Sequence, residues 1–303
     1  MIRTKLFIAL LVIAASSLSY GTVFFQNNGT KEGWPNFPQT PQAKGTISDV
    51  NSPVFQGATA IKFTQTWIPH YSGRYHSEVV FFNSQKTGDD RFYGLTVYLQ
   101  PDWVFAGDNI SIQQWAGDGP WIIMEIRGHN LVVLPHVAGI QTIAPMPAGQ
   151  WVRIVTHLRS SRNGIFEVWV NGLKKLSLTG NFTPNSTSGE VRWSAGEYVT
   201  GWTGKMTQPS PSFRQLFQDH YRIASSEAEA EPANWTETAA LHMPNLFPNT
   251  SSGESAVLSA SAESAGSGSA QAASRGSSDE HAYLFESGKA LEDTGFRRHR
   301  WIS

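Results

Sequence analysis

The sequence predicts an all-β fold, a two-sheet sandwich of the jelly-roll or concanavalin-like kind, and three observations predict it. From about Val23 to Ser225, short runs rich in β-branched and aromatic residues alternate with Gly, Pro, Asn and Asp turns at sandwich spacing. That region shows no convincing amphipathic helix. Asn171-Gly172 stands between the apolar run Ile165 to Val170 and a returning run Leu173 to Leu178, which marks a tight hairpin turn.

The chain opens with Arg3 and Lys5 ahead of an apolar run from Leu6 to Ala15 and then small residues, so residues 1–19 are read as a signal peptide. The run is too short to cross a bilayer, and no later stretch approaches the ~20 apolar residues of a membrane helix. A secreted, extracellular protein with no membrane partner is expected. Sequons at Asn28, Asn109, Asn181, Asn185, Asn234 and Asn249 fit passage through a glycosylating pathway. A cysteine count of 0 excludes disulfides and thiolate-held metals.

Strands are expected over Ala60–Thr66, Arg74–Phe82, Tyr93–Gln100, Ile110–Trp115, Trp121–Arg127, Trp151–Leu158, Gly164–Val170, Leu173–Leu178 and Gln218–Ala224. They make one domain, residues 20–228. After Ser225 the composition turns to Ala, Glu, Ser and Gly, and residues 229–303 are read as a low-complexity, disordered tail that adds nothing to the domain.

A net charge of -1 and a pI near 6.8 give no electrostatic case for nucleic acid. An acidic ligand must then be met locally. With Trp 11, Tyr 8 and Phe 17, the aromatic content leans towards carbohydrate while also suiting a sandwich core. A monomer is expected.

Alternate strand residues share a face, so Arg74, His76 and Glu78 form a charged stripe. Thr96, Tyr98 and Gln100 share a face too, as do Glu125 and Arg127. One stripe alone is an ordinary solvent edge; repeated on neighbouring segments, it suggests a sugar cleft. Such residue types suit elimination from a uronic-acid chain, which needs a neutraliser for the carboxylate, a base for the C5 proton and an acid for the leaving O4. Arg and Gln can hold a carboxylate, and His or Tyr can move a proton.

Gly73-Arg74-Tyr75-His76-Ser77-Glu78, Gln114-Trp115, Trp169-Val170-Asn171-Gly172, Gly196-Glu197-Tyr198 and Gln218-Asp219-His220-Tyr221-Arg222, in that order, resemble polysaccharide lyase family 20, the glucuronan lyases. The resemblance extends more distantly to family 7 alginate lyases and heparin lyase I, and spans about Val23 to Ser225. It implies a β-jelly roll with a concave substrate face, cleavage of an acidic polysaccharide by β-elimination, and no catalytic cofactor. It implies catalytic roles for Tyr198, His76, Gln114 and Arg74, with Gln114 as the neutraliser. Glu78, Tyr98, Gln100, Gln113, Arg127 and Tyr221 are expected to bind substrate, with Tyr221 equally suited to a buried structural role. A structural calcium near Asp219 is implied as well.

Ala116 stands where alginate and heparin lyases often carry His, and Ser194 stands near their Lys. Both departures argue against alginate or heparin as substrate. A lectin-like module on the same face is one alternative. A sandwich glycoside hydrolase is another, but the Glu-x-Asp-x-Glu string of laminarinase-like enzymes is missing between Val23 and Ser225.

Overall fold

The structure, a computed structural model, describes residues 21–34 and 41–235. The chain divides into two units, Met1–Leu241 and His242–Ser303. The second unit, the expected signal peptide at 1–19, most of the expected tail and the Asn249 sequon lie outside the described residues.

Fourteen strands follow in order: β1 (Val23–Asn27), β2 (Thr46–Val50), β3 (Ala60–Thr66), β4 (His76–Lys86), β5 (Asp90–Leu99), β6 (Asn109–Ala116), β7 (Pro120–Arg127), β8 (Asn130–Pro135), β9 (Gln141–Pro145), β10 (Trp151–Arg159), β11 (Gly164–Val170), β12 (Leu173–Gly180), β13 (Glu190–Val199) and β14 (Phe213–Ala224). Every pairing between them is antiparallel. An eight-stranded sheet runs β12-β11-β10-β5-β14-β3-β2, with β1 also on β14, and a six-stranded sheet runs β4-β13-β6-β7-β8-β9. This is the expected two-sheet sandwich. Asn171 and Gly172 both take positive φ, 52° and 79°, which is the geometry of the expected hairpin turn.

Period-two alternation decides which side chains enter the space between the sheets. On β5, Tyr93, Leu95, Val97 and Leu99 are fully buried in the core, while Gly94, Thr96 and Tyr98 point the other way. The interior is strongly aromatic: Trp115, Trp193, Trp202, Tyr75, Tyr93, Tyr221, Phe63 and Phe166 are all sealed from solvent. Burying such side chains contributes roughly 1.5–3 kcal/mol each and forces polar residues onto the outward positions.

The sequence boundary at 228 falls inside a folded segment. A one-turn helix, α1 (Glu227–Ala230), leads to Trp235, which is only 2% exposed. Trp235 lies 4.4 Å from the His220 ring and beneath the Arg222 guanidinium. Arg222 donates to the Glu229 carbonyl, and Arg153 Nε pairs with Glu231 at 2.6 Å. On β5, Gly94 admits this segment: a Cβ there would stand 1.8 Å from the Ala230 carbonyl oxygen. Ala- and Glu-rich composition conceals this contact because its one large apolar group, Trp235, comes last.

Trp235→Ala should therefore cost about 3 kcal/mol, as other large core truncations do. The measurement is the shift in the urea midpoint of the full chain; an unchanged midpoint would mean that residues 226–235 merely lie on the surface.

Candidate active site

The site forms on the outward face of the six-stranded sheet. On β4, Ser77, Val79 and Phe81 fill the interior side, which places His76, Glu78 and Val80 outward. On β13, Tyr198 stands directly opposite His76, and Gly196 opposite Glu78. On β6, Gln114 stands opposite Ser194 and Ser111 opposite Tyr198. Three adjacent strands thus bring together Tyr198, His76, Glu78, Gln114 and Ser111.

Contacts between these side chains are close. The His76 and Tyr198 rings are 5.7 Å apart. Gln114 Nε2 donates to Glu78 Oε1 at 2.6 Å, reaching over β13 where Gly196 and the small Ser194 leave the way open. The other Glu78 oxygen lies 3.2 Å from His76 Nδ1, a charge contact without hydrogen-bond alignment, since neither His76 ring nitrogen has a hydrogen-bonded protein partner. His76 is only 4% exposed, and a buried imidazole in that state is costly unless a ligand completes it. Ser111 Oγ is buried and unpartnered as well.

One strand further, Glu125 stands opposite Ser111 on β7. Burial pushes its carboxyl above the usual range, and the Arg127 guanidinium, bonded through Nε at 2.6 Å, partly offsets this. Glu125 holds Arg127 by that nitrogen and leaves its terminal amino groups at the rim.

Several expected site residues lie elsewhere. Arg74 precedes β4, which begins at His76, so it does not extend the stripe as a strand residue but stands at its mouth, half-buried. Gln113 faces the interior, where it accepts from Trp193 Nε1 at 3.3 Å, because β6 slips register between Ser111 and Gln113. Tyr221 is also interior: its hydroxyl donates to Gln218 Oε1 at 3.2 Å, and burial pushes its phenol well above the usual range. Tyr98 lies on the outer face of the other sheet, against Trp151 and Phe217. Gln100 follows β5 in that same sheet and bonds to Gln215. Thr96 donates to the Asp219 carbonyl. Alternation had been read correctly within each strand, but strand order separates β5 from β4, β6 and β7. Ser111 is the added member of the site, and Glu125, expected on one face with Arg127, joins it across β6 and β7.

Asp219, the residue expected beside a structural calcium, is held by protein donors. Its Oδ2 accepts from Phe55 N–H, and its Oδ1 accepts from His220 N–H at 2.7 Å and sits 3.0 Å from His220 Nδ1. Those donors satisfy the buried carboxylate. No group of three or more His, Asp or Glu suited to a metal occurs among the described residues.

Comparison with known proteins places this geometry. A profile described as polysaccharide lyase matches residues 26–222, which contain every residue of the site. The chain belongs to the polysaccharide lyase family. It is accordingly a lyase. Among solved structures, the endo-β-1,4-glucuronan lyase of the fungus Trichoderma reesei is similar, with a TM-score of 0.64, 28% identity, and coverage of 71% of this chain and 100% of that one. Cellulose induced protein Cip1 matches at 16% identity and a TM-score of 0.44, covering 64% of this chain and 91% of that one. Alginate lyase vAL-1 from Chlorella virus matches at 12% and 0.43, covering 60% and 89%. No curated protein sequence matches the chain.

Beneath Tyr198 lies a carboxyl outside this chemistry. Glu197 points into the interior, fully buried, with neither oxygen hydrogen-bonded. Burial pushes it well above the carboxylate range, and Arg214 only partly opposes this. Arg214 is itself committed to Asp108 at 3.1 Å. An unfolded Glu ionises near ~4.3, so the folded chain keeps a proton that the unfolded chain releases above that pH. The contribution to stability is then greatest below the unfolded pKa and falls as pH rises towards the folded one. Glu197→Gln should abolish that loss, raising the melting temperature at pH 7 by several degrees and narrowing the gap between acidic and neutral melts. Identical melting at pH 7 would contradict the burial argument.

Proposed function

We propose that this lyase is exported and cleaves β-1,4-linked glucuronan by β-elimination, with Tyr198 moving the proton. The observation that carries this reading is the buried imidazole of His76, unpartnered at both nitrogens, with the Tyr198 ring 5.7 Å away and Gln114 on the next strand. The likeness to the fungal glucuronan lyase supports the substrate, and so do Ala116 and Ser194. The basic then apolar segment at residues 1–19 supports export.

Residue chemistry assigns the roles. Gln114 has two amide hydrogens; one is held by Glu78, and the second is available to a uronate carboxylate. His76 donates to the same carboxylate, and together they stabilise the charge that builds on it as C5 loses its proton. In a β-1,4-glucuronan the C5 hydrogen and O4 lie on one side of the ring. Tyr198, as phenolate, removes that hydrogen; the electron pair forms the C4–C5 double bond as the C4–O4 bond breaks, and the phenol returns the proton to O4. Arg74, at the mouth of β4, supplies positive charge that favours the phenolate. Glu78 acts through its neighbours, holding the Gln114 amide and lying against His76.

A panel of glucuronan, alginate and heparin-type chains, followed by absorbance of the unsaturated product, tests the substrate. Glucuronan should be cleaved fastest; binding without any absorbance rise would leave a lectin. Tyr198→Phe should lower kcat by ~10²-fold with an unchanged circular dichroism spectrum, the effect of losing a general acid or base. Near-normal turnover in that variant, with a large loss in His76→Ala, would move the proton transfer to His76.

Arg127 is proposed to hold a sugar further along the chain, two strands from Tyr198. Arg127→Ala should raise KM about fivefold with kcat nearly constant, the pattern of lost uniform binding. A fall in kcat of the same size would place Arg127 at the reacting sugar instead.

A further inference from the structure

The strands that carry Tyr198 and Gln114 do not run in unbroken register. β13 pairs with β6 at Ala195↔Gln113 and next at Tyr198↔Ser111, so three steps along β13 span two along β6. β6 also slips against β7 between Ser111 and Gln113. A bulge of this kind interrupts the ladder and leaves backbone groups without their regular partners.

At this interruption one side chain arrives from the opposite sheet. Gln218 of β14 directs Nε2 to the Ile112 carbonyl at 2.9 Å and to the Gly196 carbonyl at 3.3 Å. A side-chain amide has two N–H bonds, and both are used. Its Oε1 accepts the Tyr221 hydroxyl at 3.2 Å, which sets the amide the right way round. Gln218 and Tyr221 are both fully buried. The two carbonyls belong to different strands, one lying two residues from Tyr198 and the other two residues from Gln114.

We propose that Gln218 is a positioning residue for the elimination, tying the bulged stretches of β13 and β6 together so that Tyr198 and Gln114 address the same sugar. A leucine of similar volume would fill the space but join nothing. The inference rests on the assignment of Tyr198 and Gln114 above. Displacements of about 1 Å in a catalytic group can cost up to ~10²-fold in rate, and a modest relaxation of the bulge falls within that range.

The test compares Gln218→Leu with Val168→Ala, a core truncation on β11 of the eight-stranded sheet, away from the bulge, using the best-cleaved polyuronate well below each melting temperature. Both variants should melt lower. Gln218→Leu should lose ~10-fold in kcat per folded enzyme with a smaller change in KM, while Val168→Ala keeps its kcat within about twofold. Equal kcat losses in the two variants, or none in Gln218→Leu, would overturn the proposal. Should Gln218→Leu not fold, Tyr221→Phe decides: freeing the amide to turn should lower kcat by ~3-fold, and an unchanged kcat would overturn the proposal. Combining Gln218→Leu with Tyr198→Phe should add little to the loss from Tyr198→Phe alone, because both act on one step. Fully multiplied losses would show that Gln218 does not act through Tyr198. Retained turnover in Tyr198→Phe alone removes the Tyr198 assignment, and the inference with it, before any Gln218 variant is compared.

Discussion

One extra residue of chain in β13, at the Gly196 step, governs how the face carrying Tyr198, His76 and Gln114 is arranged. Gly196 takes φ +142°, and a Cβ there would stand 2.3 Å from the Ser77 carbonyl oxygen, so a side chain is excluded by both conformation and space. The extra residue lets Tyr198 stand opposite His76 on one neighbouring strand and Ser111 on the other. The bare strand at Gly196 also gives Glu78 and Gln114 a path to each other. Regular pairing across these three strands would break at least one of those relations.

Electrostatics on this face are local rather than global. A chain of net charge -1 has little long-range attraction for a polyanion, so the substrate must be held by short contacts. Carboxylates nevertheless line the face, and each has a cationic or donor partner: Glu78 has His76 and Gln114, and Glu125 has Arg127. The acids thereby orient an amide and a guanidinium, each of which has N–H groups beyond the one its carboxylate holds.

Much of the fold was legible because it follows from alternation. Ala60–Thr66 and Gly164–Val170 match β3 and β11 residue for residue, and the Asn171-Gly172 turn lies where its dihedral preference puts it. Alternation also placed His76 with Glu78. Strand order was not legible, and that is why Tyr98 and Gln100 were grouped with residues of the other sheet. Nor were bulges: with regular pairing Gln113 and Ser111 share one side of β6, and the slip between them sends Gln113 inward and leaves Ser111 beside Tyr198. The stretch from 226 to Trp235 was lost for a third reason. Its contribution is one aromatic ring and two ion-pair or carbonyl contacts, a pattern that composition averages away.

The Gln218-Asp219-His220-Tyr221-Arg222 run shows how a family resemblance can be strong where no residue touches substrate. β14 slips against β5 between Asp219 and Arg222, and His220 takes φ 54°, so Gln218 and Tyr221 both face the interior although three residues apart. Asp219 meanwhile fastens the Phe55 amide, and His220 and Arg222 receive Trp235 on the outer side. Each residue of the run therefore serves the scaffold on one side of β14 or the other. The eight-stranded sheet contributes no side chain to the face where Tyr198 and His76 stand, yet Gln218 of β14 reaches through the aromatic interior to the backbone of β13 and β6. The chemistry of the opposite sheet bears on residue identity at this position of β14, because an apolar side chain there would leave both carbonyls without their donor. Tyr221, expected at the substrate, belongs instead to the packing behind that face.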